Sequence, residues 1–122
     1  MGVQISTQQR AGNAKVISVH SLDQWNKHLQ SSITSNKLMV IDFSAAWCGP
    51  CKFIEPAVHD LAIEFSNVEF IKIDVDELPD VAKDHGVQAM PTFVLLKKGK
   101  ELDRVVGAKK DELHRMIEKH RY

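Results

Sequence analysis

Two cysteines, Cys48 and Cys51, are the residues of this 122-residue chain best suited to chemistry, and the chain has no others. Their C-x-x-C spacing lets two thiols interconvert with a disulfide within one short segment. In thiol–disulfide exchange, one thiolate attacks a disulfide of another molecule and the second thiol resolves the mixed disulfide that forms. The spacing therefore predicts a redox-active pair.

The pair lies between two sequence patterns that indicate a strand and a helix. Residues 38–43 are an apolar run interrupted by one carboxylate, which is typical of a buried strand. After the pair, apolar residues recur at helical spacing: Phe53, Ile54, Ala57, Val58, Leu61, Ala62 and Phe65. The dithiol is therefore expected at the start of a helix that follows a buried strand.

A position at a helix N-terminus is expected to give the two cysteine thiols different reactivity. Its unpaired N–H groups and partial positive charge stabilise a thiolate, so we expect a lowered pKa at Cys48 and predict that it is the nucleophile. Cys51 follows about one turn later and is expected to be the shielded, resolving thiol. Pro50 suits the first helical turn, where its missing N–H loses no bond, and Gly49 lets another chain approach the sulfurs.

A zinc site and a purely structural pair are the alternatives for a C-x-x-C sequence. A closed zinc site needs four ligands, and the chain has no second pair of cysteines. Its six histidines are scattered along the sequence. We therefore predict a redox pair and no metal site.

Asp42 places one carboxylate inside the apolar strand. Ionisation among Val40, Ile41 and Phe43 is unfavourable, so we expect its pKa to lie above the ordinary value of about 3.9. We predict that Asp42 accepts the proton of Cys51, directly or through a water molecule, when the mixed disulfide is resolved. The alternative is a solvated carboxylate at a strand edge with no role in catalysis.

The elements around the pair are predicted in the order βαβαβαββα. Ser21 and Gln24 form a capping-box pattern at the first helix, whose apolar stripe is Leu22, Trp25, Leu29 and Ile33. The first three strands alternate with helices and should be parallel, whereas a turn at Lys98-Gly99 joins the last two as a hairpin. We expect an α/β fold with a five-stranded mixed sheet flanked by four helices.

Size and charge argue against several classes of protein. A chain of 122 residues can form one domain with a core that needs no disulfide staples. Sixteen acidic and sixteen basic residues cancel, which disfavours nucleic-acid binding, and the longest apolar run is too short to span a membrane. Two reactive cysteines without a disulfide framework fit a reducing compartment, so a cytoplasmic location is expected.

The first residues differ from the rest of the chain. Residues 1–13 are polar and aperiodic, and we expect a flexible extension ahead of a domain at residues 14–122. They lack the charged and apolar regions of a secretory signal. Gly2 with Ser6 matches the N-myristoylation pattern, although the match is short enough to arise by chance. A single acyl chain would give only weak membrane association.

The sequence around the dithiol resembles the active site of the thioredoxin family. Trp47-Cys48-Gly49-Pro50-Cys51-Lys52 is the active-site motif of that family, and the resemblance extends from about Val16 to the C-terminus. Its other marks are Asp42-Phe43, Met90-Pro91-Thr92, Gly99 and Val106-Gly107. Residues 44–47 and 75–78 are most similar to the h-type thioredoxins of plants, some of which carry N-terminal extensions of this kind.

The resemblance implies the thioredoxin fold and the activity of a general protein disulfide reductase that maintains cell redox homeostasis. No cofactor is bound in this family. Electrons come from NADPH through a separate flavoprotein, thioredoxin reductase, or from the glutathione system. The partners would otherwise be disulfide-containing proteins, and a monomer is expected.

The resemblance also implies how the site is built. Target proteins would dock as an extended segment over Trp47, Gly49, Pro50, Met90, Pro91 and Gly107. The Met90–Pro91 bond would be cis and lie against the dithiol. The matching lysine, Lys72, would reach toward Asp42, although the sequence alone favours a solvated charge there.

Two other functions stay open. A disulfide isomerase or oxidase would share the fold, but such enzymes typically have histidine where Pro50 stands. A redox-regulated binding module, such as a holdase, would use the same surface with catalysis incidental. One departure from the family bears on substrate choice, because Ser44 stands where many thioredoxins have a second tryptophan.

Overall fold

The computed structural model describes residues 16–122, so the extension predicted at residues 1–13 and the acylation predicted at Gly2 lie outside the described residues. The described elements follow the predicted order. They are β1 (Val16–Val19), α1 (Leu22–Ile33), β2 (Met39–Ser44), α2 (Gly49–Glu64), β3 (Glu69–Asp74), α3 (Pro79–Asp84), β4 (Thr92–Lys97), β5 (Lys100–Val106) and α4 (Lys110–His120).

The five strands form one mixed sheet in the order β1-β3-β2-β4-β5. As predicted, β1, β3 and β2 are parallel, and β4 and β5 form the antiparallel hairpin. The central strand β2 pairs in parallel with β3 and antiparallel with β4, which places Asp42 opposite Lys72 on one side and Phe93 on the other. Asp42 therefore lies in the middle of the sheet and not at an edge.

The sheet is covered on both faces, because successive side chains of a strand point to opposite sides. One core contains Val40 together with apolar residues of α2 and α4, and the other contains Ile41 and Phe43 with residues of α1 and α3. By this alternation, Asp42 points to the same face as Val40, toward α2. No helix within residues 16–122 combines the length and the apolar character needed to cross a membrane.

Helix α1 begins as its sequence predicts, but its apolar stripe is only partly buried. Ser21 Oγ accepts the N–H of Gln24 over 3.1 Å, and Gln24 Oε1 accepts the N–H of His20 over 2.7 Å. Trp25 is buried, whereas Leu22 and Ile33 are exposed. These two are the first and last residues of the helix.

The turn between β4 and β5 requires left-handed backbone at both of its central residues. Lys98 has φ 54° and Gly99 has φ 78°, the combination found in type I′ hairpin turns. A Cβ at Gly99 would also lie 2.9 Å from Cγ1 of Ile33. Glycine at this position therefore satisfies both the backbone conformation and the packing of α1 against the turn.

Candidate active site

The two cysteines occupy the beginning of α2, where the sequence places them. Cys48 is the N-cap residue, and its Sγ accepts the N–H of Cys51 over 3.1 Å. The two residues form a disulfide and are only 4% and 6% exposed. Because the helix N-terminus carries partial positive charge, negative charge that develops on Cys48 Sγ is stabilised at this position.

The loop before β4 covers the sulfur of Cys48. Met90–Pro91 is a cis peptide, as the family resemblance implied, and the carbonyl oxygen of Met90 lies 3.6 Å from Cys48 Sγ. The N–H of Gly107 donates to the carbonyl of Pro91 over 2.8 Å. The loop and the end of β5 are therefore joined beside the dithiol, and Gly107 has φ 103°, which favours glycine.

Residues close to the dithiol in the chain form an exposed apolar rim. Trp47 is 67% exposed, and its Nε1 donates to Oδ2 of Asp76 over 2.9 Å. Phe53 belongs to the apolar pattern of α2 and is nevertheless 80% exposed, on the first turns of the helix. Open space lies where a Cβ would stand on Gly49. The structure thus brings Trp47, Gly49, Pro50, Met90, Pro91 and Gly107 into the neighbourhood of the sulfurs.

Asp42 is buried on the α2 side of the sheet. The residue is 7% exposed, and its Oδ1 has no hydrogen-bond partner within residues 16–122. Burial raises the pKa of Asp42 from 3.8 to about 7, while the charge of Lys72 opposes the rise and that of Glu55 adds to it. The raised pKa is confirmed, and the alternative of a solvated carboxylate at a strand edge is wrong.

Lys72 is paired and is not the solvated charge expected from the sequence alone. Its Nζ donates to Oε2 of Glu55 over 2.5 Å. This hydrogen bond is the largest cause of the lowered pKa of Glu55. Both residues line a cavity of about 160 Å³ together with Asp42, His59 and Ser18. The cavity can hold water, because it is larger than a single molecule and has polar walls.

A second cavity of about 410 Å³ borders Cys51. The same two residues, Glu55 and Lys72, line it, and so does Ser44 at the end of β2. Ser44 is buried, and its small side chain stands where many thioredoxins have tryptophan. The small side chain of Ser44 therefore lies on the wall of the open volume beside Cys51.

The sequence did not identify Glu55 or Asp76 as residues of the site. Glu55 had a usable signal, because it follows Cys51 by four residues and so lies on the same face of α2. Asp76 had none, because its contact with Trp47 joins residues that are 29 positions apart.

The sequence model of the thioredoxin family matches residues 16–119. The chain belongs to the thioredoxin family. Thioredoxin H2 of Arabidopsis thaliana is 56% identical over 108 residues, which are 88% of this chain and 81% of that protein. Thioredoxin H-type 2 of Nicotiana tabacum is 56% identical over 110 residues, 90% of this chain and 93% of that protein.

Similar solved structures also belong to thioredoxins. The crystal structure of thioredoxin NaTrxh from Nicotiana alata has a TM-score of 0.87 at 58% identity, and the match covers 88% of this chain and 94% of that one. A poplar thioredoxin h, PtTrxh4, has a TM-score of 0.82 at 37% identity, with 86% and 95% covered. The predicted thioredoxin fold and the similarity to plant h-type thioredoxins are confirmed.

As a thioredoxin, the chain is a protein-disulfide oxidoreductase. Its redox group is the Cys48–Cys51 disulfide, formed within the protein's own chain. Reduction of a target disulfide oxidises this pair, so each turnover transfers two electrons from two thiols to the target.

Proposed function

We propose that this thioredoxin reduces target proteins with Cys48 as the nucleophile, Cys51 as the resolving thiol and Asp42 as the proton acceptor. The observation that best supports the assignment is the hydrogen bond from the Cys51 N–H to Cys48 Sγ at the start of α2. A thiolate at Cys48 receives this bond and the helix dipole, whereas Cys51 lies inside the first turn.

The first step forms a mixed disulfide. The Cys48 thiolate attacks one sulfur of the target disulfide, the target S–S bond breaks, and the other target sulfur leaves as a thiolate. Substrate would lie as an extended segment over Trp47, Gly49 and Pro50, and it would pair with the backbone of Met90 beside Pro91 and Gly107. The exposure of Trp47 and the closeness of Met90 to Cys48 Sγ support this docking surface.

The second step releases the target. Asp42 takes the proton of Cys51 through water, the Cys51 thiolate attacks Cys48 Sγ, and the second target sulfur leaves as a thiolate. A carboxylate with a pKa near 7 suits this task, since a catalytic base works best when its pKa lies near the working pH. The product is the Cys48–Cys51 disulfide and a dithiol target.

Electrons for the next cycle would come from NADPH through thioredoxin reductase, or from the glutathione system. We propose a monomer that acts in the cytoplasm, with residues 14–122 as the thioredoxin domain behind an extension at residues 1–13. Myristoylation of Gly2 would give weak membrane association. Mass spectrometry of protein from a eukaryotic host tests the modification, and a free Gly2 amine in all molecules would contradict it.

Insulin-disulfide reduction coupled to NADPH oxidation tests the activity and its electron donor together. Thioredoxin reductase and the glutathione system are compared as donors. Cys48→Ser should abolish turnover, and Cys51→Ser should accumulate a mixed disulfide with the target because nothing resolves it. A binding module would retain its function in Cys48→Ser, and that result would overturn the proposal.

Asp42→Asn tests the proton acceptor. The variant keeps the shape of the side chain and cannot take up the Cys51 proton. We expect the resolving step to slow by about 10²-fold or more, the contribution typical of a general base. Unchanged turnover would remove Asp42 from the mechanism without changing the roles of the cysteines.

A further inference from the structure

The ion pair between Glu55 and Lys72 lies at the exposed side of the Asp42 cavity. Glu55 and Lys72 have side chains 47% and 33% exposed, whereas Asp42 is buried in the same cavity. Lys72 occupies the register position opposite Asp42 on the neighbouring parallel strand. The lysine therefore has two carboxylates within its surroundings and makes its ion pair with the outer one.

Lys72 lowers the pKa of Asp42 by its charge, but its ion pair is with Glu55. Oδ1 of Asp42 is buried and has no hydrogen-bond partner in the part of the chain that the structure describes, although a lysine lies on the adjacent strand. A buried carboxylate without a partner is energetically unfavourable, so the lysine would be drawn to it in the absence of a competitor. Glu55 is the competitor that the structure provides.

We propose that Glu55 is a positioning residue for Asp42: it holds the Lys72 ammonium at the outer side of the cavity and thereby keeps that cation from pairing with the Asp42 carboxylate. This inference rests on the proposed role of Asp42 as the proton acceptor. In this proposal the effect of Glu55 on Asp42 passes through Lys72.

The position of the Lys72 ammonium affects how strongly the Asp42 carboxylate binds a proton. A lysine paired directly with Asp42 would stabilise the carboxylate and make it a weaker acceptor for a thiol proton. With Lys72 held by Glu55, Asp42 keeps its proton to higher pH. The other polar groups on this cavity are His59 on α2 and Ser18 on β1.

Carbon-13 NMR of the Asp42 carboxyl group in the oxidised protein measures the effect directly. The cysteines do not titrate in this state because they are joined in a disulfide. Wild type should titrate at about 7. Glu55→Gln should lower the midpoint by about one to three pH units, the range for an opposite charge brought close to a carboxylate. Lys72→Met should raise it.

The double variant separates positioning from simple charge removal. In a Lys72→Met background, Glu55→Gln should lower the Asp42 midpoint by less than half of its effect in wild type, since no cation remains to be released. Glu64→Gln is the matched control, because Glu64 is on the same helix and pairs with His114. It should leave the Asp42 titration unchanged.

The outcomes distinguish this inference from the proposed function. An unmoved midpoint in Glu55→Gln, or an equal fall with and without Lys72, would overturn the positioning role even if Asp42→Asn loses turnover. A midpoint that falls as expected supports the positioning role even if Asp42→Asn retains turnover, a result that would overturn only the role of Asp42 in catalysis. When both hold, the pH–rate profile of Glu55→Gln should move to lower pH together with the NMR midpoint.

Discussion

The indole N–H of Trp47 donates a hydrogen bond of 2.9 Å to Oδ2 of Asp76, which lies 29 residues further along the chain. Trp47 is 67% exposed, so little packing fixes its ring. The hydrogen bond is therefore the main described contact that orients the indole beside the dithiol. Asp76 in turn donates its N–H to Oδ1 of Asp74 over 2.8 Å, which fixes the loop that carries it.

Loss of the Asp76 carboxylate should weaken substrate docking. Asp76→Ala is expected to raise KM for insulin about 2- to 5-fold, as expected for the loss of one hydrogen bond, with kcat little changed. Asp60→Ala is the control, because Asp60 is exposed on α2. Equal KM values in the two variants, measured in the NADPH-coupled assay, would contradict a role for this bond in docking.

The raised pKa of Asp42 predicts a pH-dependent gain in stability when the carboxyl group is removed. The folded state holds the proton up to about pH 7, whereas the unfolded chain loses it near 3.8. The free energy of unfolding of wild type should therefore fall as pH rises from about 4 and level off above about 7.

Asp42→Asn has no carboxyl group to titrate at this position, so its free energy of unfolding should not fall in this way. The stability advantage of the variant over wild type should therefore increase from about pH 4 to about pH 7. The advantage should reach at most about 4 kcal/mol above pH 7, from the difference between the folded and unfolded pKa values. Denaturant unfolding of the oxidised proteins at pH 4, 6 and 8 measures it. A difference that stays constant with pH would show that Asp42 is not the group responsible.

Alanine substitutions at three glycines distinguish the cost of left-handed backbone from the cost of a steric clash. Gly99 has a positive φ and a close neighbour, Gly86 has a positive φ and open space, and Gly49 has open space without a positive φ. Gly86→Ala should cost about 1–2 kcal/mol from the left-handed backbone alone. Gly99→Ala should cost more because Ile33 must also move, and Gly49→Ala should be nearly neutral or slightly stabilising in thermal unfolding.

Arg121, which directly follows the last residue of α4, joins that helix to the segment after α2. Its guanidinium lies 4.8 Å from the centre of the Phe65 ring, and Nη2 donates to Oδ1 of Asn67 over 3.1 Å. Arg121→Ala should lower the free energy of unfolding by about 1–2 kcal/mol. Arg115→Ala is the matched control, since Arg115 is exposed on α4. Equal losses would show that the contact contributes little.

The sequence predicts those features of the site that are determined by neighbouring residues in the chain. Cys48 and Cys51 are placed correctly because a buried strand and a helical pattern flank them within a few residues. The raised pKa of Asp42 follows from its apolar neighbours on β2, because a central strand buries both of its faces. The family motif adds the cis bond before Pro91, which no local pattern indicates.

The remaining features depend on contacts between distant residues or on where an element ends. Whether Lys72 pairs with Asp42 or with Glu55 depends on how α2 lies over β3. The periodicity of the sequence does not give the distance between this helix and this strand. Leu22 and Ile33 belong to an apolar stripe by spacing, yet both are exposed at the two ends of α1, where the periodicity does not show how far the buried face extends. Phe53 likewise follows the helical pattern and remains at the exposed rim.

The redox pair closes a ring of only three residue steps within the first turn of α2. The rest of that helix is anchored by Ile54, Val58 and Leu61, which are buried against the sheet. Structural change on reduction is therefore expected to be confined to the first turn of α2. We therefore expect α2 to pack on the sheet in the same way in the reduced and the oxidised protein.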